Sequence, residues 1–174
     1  MISGLIKTIN NCTPIFGDNP WVAEGSIVIG DVIAGNNCSI WFNAVIRGDV
    51  NSIIIGNNVN IQDNATIHCT YNKTKTIIGN NVSIGHNAIV HGCTIMDNVL
   101  IGMGAIVMDN VSVQSNVIVA AGAVVLESQI LEANTIYAGV PAKAVKKLDP
   151  TVNHKEIKRI ADNYIKYSSW FTKG

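Results

Sequence analysis

Large hydrophobic residues recur along this chain at a step of six, at Ile55, Ile61, Ile67, Ile78, Ile84, Val90, Ile95, Ile101, Val107, Val113, Val119 and Val125. Two steps depart from six, an eleven from Ile67 to Ile78 and a five from Val90 to Ile95. Four residues after most of these anchors stands a smaller apolar residue, as at Val59, Ala65, Val82, Ala88, Val99, Ala105, Val111, Val117 and Ala123. An amphipathic helix repeats every ~3.6 residues and a half-buried strand every ~2, so neither accounts for a six. Short strands joined by tight corners and wound into a solenoid do. The pattern predicts a mainly β, three-sided rod over 27–142, three hexads to a coil, with the eleven-residue step as one side carrying a bulge. The bulge, Cys69 to Thr76, is polar and reads as a surface loop.

The ends break the pattern. Residues 1–26 read as a lead-in, because Pro14 and Pro20 interrupt any long regular element. Between Ile46 and Ile55 the spacing is nine, and that segment holds Arg47, Gly48 and Asp49. Tyr137 to Lys143 reads as a turn leaving the rod. Over 150–171 the period becomes helical, with Ile157, Ile160, Ala161, Tyr164 and Ile165 on one stripe and Asp149 or Thr151 as cap. This helix is expected to pack along the rod and bring Tyr164 or Asn163 toward the chemistry, all within one domain, 1–174.

Three of the four histidines, His68, His86 and His91, fall close together in the repeats. His68 and His91 each follow an anchor, Ile67 and Val90, that the three-sided winding places on the same side one coil apart. Adjacent rungs of a parallel ladder lie about 4.8 Å apart, and two imidazoles there can close on one ion with Zn–N bonds of about 2.0–2.1 Å. His86 lies on another side. Five extended residues from His86 to His91 span roughly 16–18 Å, too far for a shared ion unless the corner folds back, so the third ligand comes more easily from a neighbouring copy. The plainer reading is three hydrogen-bonded surface histidines; Gln62 and Asp63 beside them favour the metal.

Composition narrows the class. Hydrophobic residues are 48% and charged ones 14%, which excludes a disordered chain. The 21 Asn suit corners, because asparagine tolerates left-handed backbone. Net charge is zero, so nothing points to nucleic acid. A local excess of Lys and Arg over 143–173 reads as a solvated helix face. No apolar run is long enough for a membrane span, and Met1–Asn11 shows no export signal, so a cytoplasmic protein is expected. Cys12, Cys38, Cys69 and Cys93 show no CxxC spacing and read as reduced thiols, with thiolate ligation by Cys69 or Cys93 the alternative.

The segments Arg47-Gly48-Asp49, Asn60-Ile61-Gln62-Asp63, His68 and Ile84-Gly85-His86 through His91-Gly92-Cys93 resemble the gamma-class carbonic anhydrases, from about Asn11 to Phe171. The resemblance implies a left-handed parallel β-helix with a C-terminal helix, assembled as a homotrimer with its metal between subunits. His68 and His91 would bind the ion from one subunit and His86 from the next. The ion would be Zn2+, with Fe2+ or Co2+ as alternatives. Gln62 would hydrogen-bond the metal-bound water or bicarbonate, and Asn60 and Tyr164 complete the catalytic candidates. Arg47 and Asp49 would pair near the interface, and Asp63 would support the ligands. Three neutral imidazoles leave the ion its full charge, so water on it ionises near neutral pH and attacks carbon dioxide, a small-molecule substrate.

Two departures matter. The residue after Asp49 is Val50, where family members carry a glutamate, and the short segment after His68 carries Lys73 and Lys75 in place of an acidic loop. Slow hydration is therefore expected. The alternatives are a hexapeptide-repeat acyltransferase or thioesterase, whose Gly-Val-Pro-Ala-Lys ending this chain shares at 139–143, or a trimeric scaffold holding a structural ion. Acyl transfer needs one basic histidine rather than three converging ones.

Overall fold

The computed structural model describes residues 1–172, and the side chains of all of these except 150–154. The chain winds as a left-handed β-helix of about seven turns, followed by a single α-helix, α1 (Pro150–Trp170). Each turn contributes one rung to each of three faces. The first face stacks Trp21–Val22, Ser39–Ile40, Asn60–Ile61, Ser83–Ile84, Leu100–Ile101, Ile118–Val119 and Thr135–Ala138. The second stacks Leu5–Lys7, the first halves of Ile27–Ala34 and Val45–Ile55, then Thr66–His68, Ile89–His91, Ile106–Val107 and Val124–Val125. The third stacks Ile15–Phe16, the second halves of the same two long strands, then Thr76–Ile78, Thr94–Ile95, Ser112–Val113 and Ile130–Leu131. Ile27–Ala34 and Val45–Ile55 run unbroken round a corner and so join the second and third faces into one sheet.

The six-residue anchors point inward and are all buried, as are the smaller apolar residues four positions later. Fully burying one such isoleucine stabilises the rod by about 1.5–3 kcal/mol. Outside the anchors, the corners decide the winding. Asn19, Asn37, Asn58, Asn81, Asn98, Asn116 and Asn134 occupy one corner column, all with φ between 53° and 60°. Their side-chain amides bond from coil to coil, Asn37 to Asn58, Asn58 to Asn81 and Asn81 to Asn98 each at 3.1 Å. Asparagine supplies both the left-handed backbone and the axial hydrogen bond that holds the next coil in register.

The chain enters the ladder before residue 27. The segment expected to be a lead-in forms the first turn, with Leu5 paired to Ile27, Ile15 to Ile33 and Trp21 to Ser39. Pro14 and Pro20 fall at corners between these strands, where a missing N–H interrupts no ladder bond. The turn expected after Tyr137 spans Gly139 to Ala142. Lys143–Lys147 then returns antiparallel to Thr135–Ala138 and closes the first face.

Pro150 opens α1, where a fixed φ and no N–H suit the first helical turn. The cap expected at Thr151 lies outside the described side chains. Ile157 and Ala161 are buried on the stripe read from the sequence. The helix packs over the first face against Ser39–Ile40, Asn60–Ile61 and Ser83–Ile84. Its last turns rest on an aromatic cluster, with Tyr164 edge-on to Trp41 at 5.2 Å and Phe171 5.3 Å from Trp21. No helix is long and apolar enough to cross a membrane among the described residues.

Candidate metal centre

The ladder places His68 and His91 as direct partners on adjacent rungs of the second face. His68 Nδ1 lies 3.2 Å from His91 Nε2. The far nitrogen of each ring meets a carboxylate, His68 Nε2 at Asp49 Oδ1 (3.0 Å) and His91 Nδ1 at Asp109 Oδ2 (3.0 Å). A carboxylate only accepts, so each of these nitrogens carries the proton and donates. In the neutral form of each ring, the facing nitrogen then carries a lone pair aimed at the other. Two acceptors at that distance repel unless a cation stands between them. Nitrogens about 2.0–2.1 Å from a tetrahedral ion lie about 3.3 Å apart, which the observed gap matches, so the donor set fits a metal.

His86 lies on the corner between the first and second faces, whereas His68 and His91 end their strands at the opposite edge of the second face. Its Nδ1 donates to Asp63 Oδ2 at 2.8 Å, and its Nε2 meets the Tyr164 hydroxyl that α1 delivers at 3.5 Å. Among the described residues, no group of three His, Cys, Asp or Glu side chains able to hold an ion occurs within one subunit.

The remaining candidates divide by burial. Gln62 donates to Asn60 Oδ1 at 2.9 Å, and Asn60 in turn donates to Ser83 Oγ at 2.7 Å. Asn60 precedes its anchor and so faces α1, fully buried; it orients Gln62 and does not reach the histidines. Gln62, His86 and Tyr164 meet in a cavity of about 390 Å³, and a second of about 220 Å³ joins His86, Asp63 and Tyr164 to Trp41 and Tyr167. Arg47 forms an ion pair with the Asp49 that receives His68.

Asp109 escaped the reading of the sequence. It lies one coil beyond His91 and is held by Thr74 Oγ1 at 2.7 Å and Thr70 Oγ1 at 3.2 Å, both from the bulge after His68. The signal was an acid one coil away from a histidine, which Asp49 and Asp63 also display. Burial alone would raise the Asp49 and Asp109 carboxyls. Hydrogen bonds from His68 and Arg47 outweigh it at Asp49, and the contacts with Thr74, His91 and Thr70 outweigh it at Asp109, so both lie below the ordinary value. Burial, with Asp63 and Tyr167 nearby, pushes the Tyr164 phenol up to about 12, so it stays protonated. Cys69 and Cys93 point inward from the residues beside the histidines, and burial raises both thiols, Cys93 to about 12.

The family described as bacterial transferase hexapeptide (six repeats) matches residues 92–127. A protein of Methanocaldococcus jannaschii named "Probable carbonic anhydrase" is 44% identical over 86% of this chain and 91% of its own length. Gamma carbonic anhydrase 1, mitochondrial, of Arabidopsis thaliana is 40% identical over 90% of this chain, which spans 57% of the plant protein. The chain belongs to the gamma-class carbonic anhydrase-like family. A solved hexapeptide transferase family protein from Anaplasma phagocytophilum superposes with a TM-score of 0.90 at 34% identity, covering 96% of this chain and 98% of that one. Proteins similar to this chain are thus named for two different chemistries.

Proposed function

We propose that this protein is a metal-dependent carbonic anhydrase-like enzyme that hydrates carbon dioxide reversibly at sites shared between the subunits of a homotrimer. The observation that carries this is the facing pair of nitrogens on His68 and His91, 3.2 Å apart, each ring fixed by a carboxylate behind it. His86 of a neighbouring subunit would complete the ligand set, because its own subunit holds it at the far edge of the second face. Zn2+ suits three imidazoles, and Fe2+ or Co2+ would bind the same donors. When bound, such an ion acts as a Lewis acid that makes water nucleophilic near neutral pH.

The chain's own residues then divide the work. Asp49, Asp63 and Asp109 hold the imidazoles in one tautomer and orientation. Gln62, steadied by Asn60, presents its amide to the reacting oxygens, and the protonated Tyr164 hydroxyl donates beside His86. No glutamate stands at Val50 or in the Lys73–Lys75 segment to take the proton outward, so proton export is the slow step.

The test is metal content of the purified protein together with stopped-flow hydration of carbon dioxide. About one ion per subunit with metal-dependent hydration is expected. A metal-loaded trimer without hydration would turn the assignment toward acyl transfer, one form of the transferase chemistry for which the Anaplasma protein's family is named.

A further inference from the structure

Beside His86 the first face is hollowed. The residue following each buried anchor on that face is, on successive coils, Trp41, Gln62, Gly85, Gly102 and Ala120. Trp41 and Gln62 show that this register position accepts a large side chain; below them it is nearly empty. A Cβ on Gly85 would come within 2.6 Å of Met103 N, and one on Gly102 within 2.5 Å of Ala121 N. The glycines thus let successive backbones close and leave bare main chain as a floor. Ile160 and Tyr164 of α1 wall one side, and Met103 and Ala121 the other.

The result is the 390 Å³ cavity seen as a trough rather than a hole. At about 4.8 Å per rung, it runs roughly 14 Å from Gln62 to Ala120. Its hydrogen-bonding side chains, those of Gln62, His86 and Tyr164, lie together at one end, and among the described residues no Asp, Glu, Lys or Arg lines it. Carbon dioxide, three atoms long, makes no use of such a trough. A molecule with one polar head and a long uncharged tail fills it.

We infer that this trough binds a straight alkyl chain of about twelve carbons, since bonds of about 1.5 Å at angles near 111° advance an extended chain about 1.25 Å per carbon. The carboxyl or acyl head lies at Gln62 and Tyr164, beside His86, and the tail lies over Gly85, Gly102 and Ala120. Setting the head beside a reacting centre rests on the function proposed above; the trough itself does not.

Calorimetric titration of the metal-loaded protein with acetate, hexanoate, octanoate and decanoate tests this. Each added methylene should tighten binding about fourfold, the ratio equivalent to ~0.8 kcal/mol per buried CH2. Ala120→Leu on the floor and Ile160→Trp on the helix wall should each weaken decanoate at least tenfold and leave acetate unchanged. Binding independent of chain length, or native affinity for decanoate in either folded variant, overturns the inference. If circular dichroism shows that one variant has not folded, the other decides. A second copy covering the trough would appear as absent chain-length dependence and also overturns it. Hydration measured in parallel separates the two ideas, since chain-dependent binding without hydration removes the proposed function and keeps the trough.

Discussion

Asp109 Oδ2 receives His91 Nδ1 at 3.0 Å from the next coil of the rod, and two threonines of the bulge hold that carboxylate in place. The contact fixes which His91 nitrogen faces His68. Asp109→Asn keeps the shape but removes the charge and offers an amide that can turn a donor toward the ring. Metal affinity should fall about 10–100-fold, as for other residues supporting a ligand, with circular dichroism unchanged. Competition against a chelator reads it, and unchanged affinity would reduce Asp109 to a surface contact.

Sharing of ligands between subunits is open to complementation. His68→Ala, His86→Ala and His91→Ala should each lose most of the metal, while His154→Ala, outside the repeats, should keep it. Unfolding and refolding His86→Ala together with His91→Ala should restore metal to part of the mixed trimers, because one subunit supplies the His68/His91 pair and the other supplies His86. Restoration absent from a well-formed mixed trimer would place all ligands in one chain.

Proton export should depend on the medium. Hydration should be slow in dilute buffer and rise with the concentration of an imidazole-type buffer, toward the 10²–10⁴-fold that general acid–base assistance typically supplies. Val50→Glu is a less clean probe, because Val50 packs against the core and a carboxylate there lowers the melting temperature too. A fast rate indifferent to buffer would direct attention to Tyr164.

Tyr164 leaves a signature in alkali. Its phenol ionises near 10 when unfolded and about 12 when folded, so the native state binds the extra proton between those values. Its contribution to stability is complete below pH 10 and is lost as pH rises toward 12. Tyr164→Phe should flatten that part of the stability–pH curve and, by keeping the ring on Trp41, retain metal while lowering turnover. Denaturant melts at pH 9 to 12 provide the comparison.

Thiol chemistry gives a simpler check. Cys38, Cys69 and Cys93 are buried with raised pKa values, whereas Cys12 is partly exposed. A disulfide reagent should modify Cys12 alone in the native protein and all four after unfolding. Native labelling of Cys69 or Cys93 would show that their coils open readily.

The rod was legible because the anchors Ile61, Ile67, Ile78 and Ile84 announce the step of six that the ladder obeys. The pairing of His68 with His91 was legible for the same reason, each being one residue past its anchor. Asp109 was not, because the five-residue step before Ile95 shortens that coil: Asp109 stands two past Val107, while His91 stands one past Val90. The first turn was missed because Pro14 and Pro20 look like breakers until corners are known to receive them.

Asp49, His68, His91 and Asp109 belong to four successive rungs, the third to the sixth of the seven on the second face. In a stack where each rung touches only its neighbours, opening starts at the ends and works inward. Amide hydrogens of Leu5–Lys7 and Val124–Val125 should therefore exchange early, while those around His68 and His91 exchange last. The chemistry is housed where the rod frays least, and an ion gripped by two adjacent rungs would rivet that stretch against unwinding from either end.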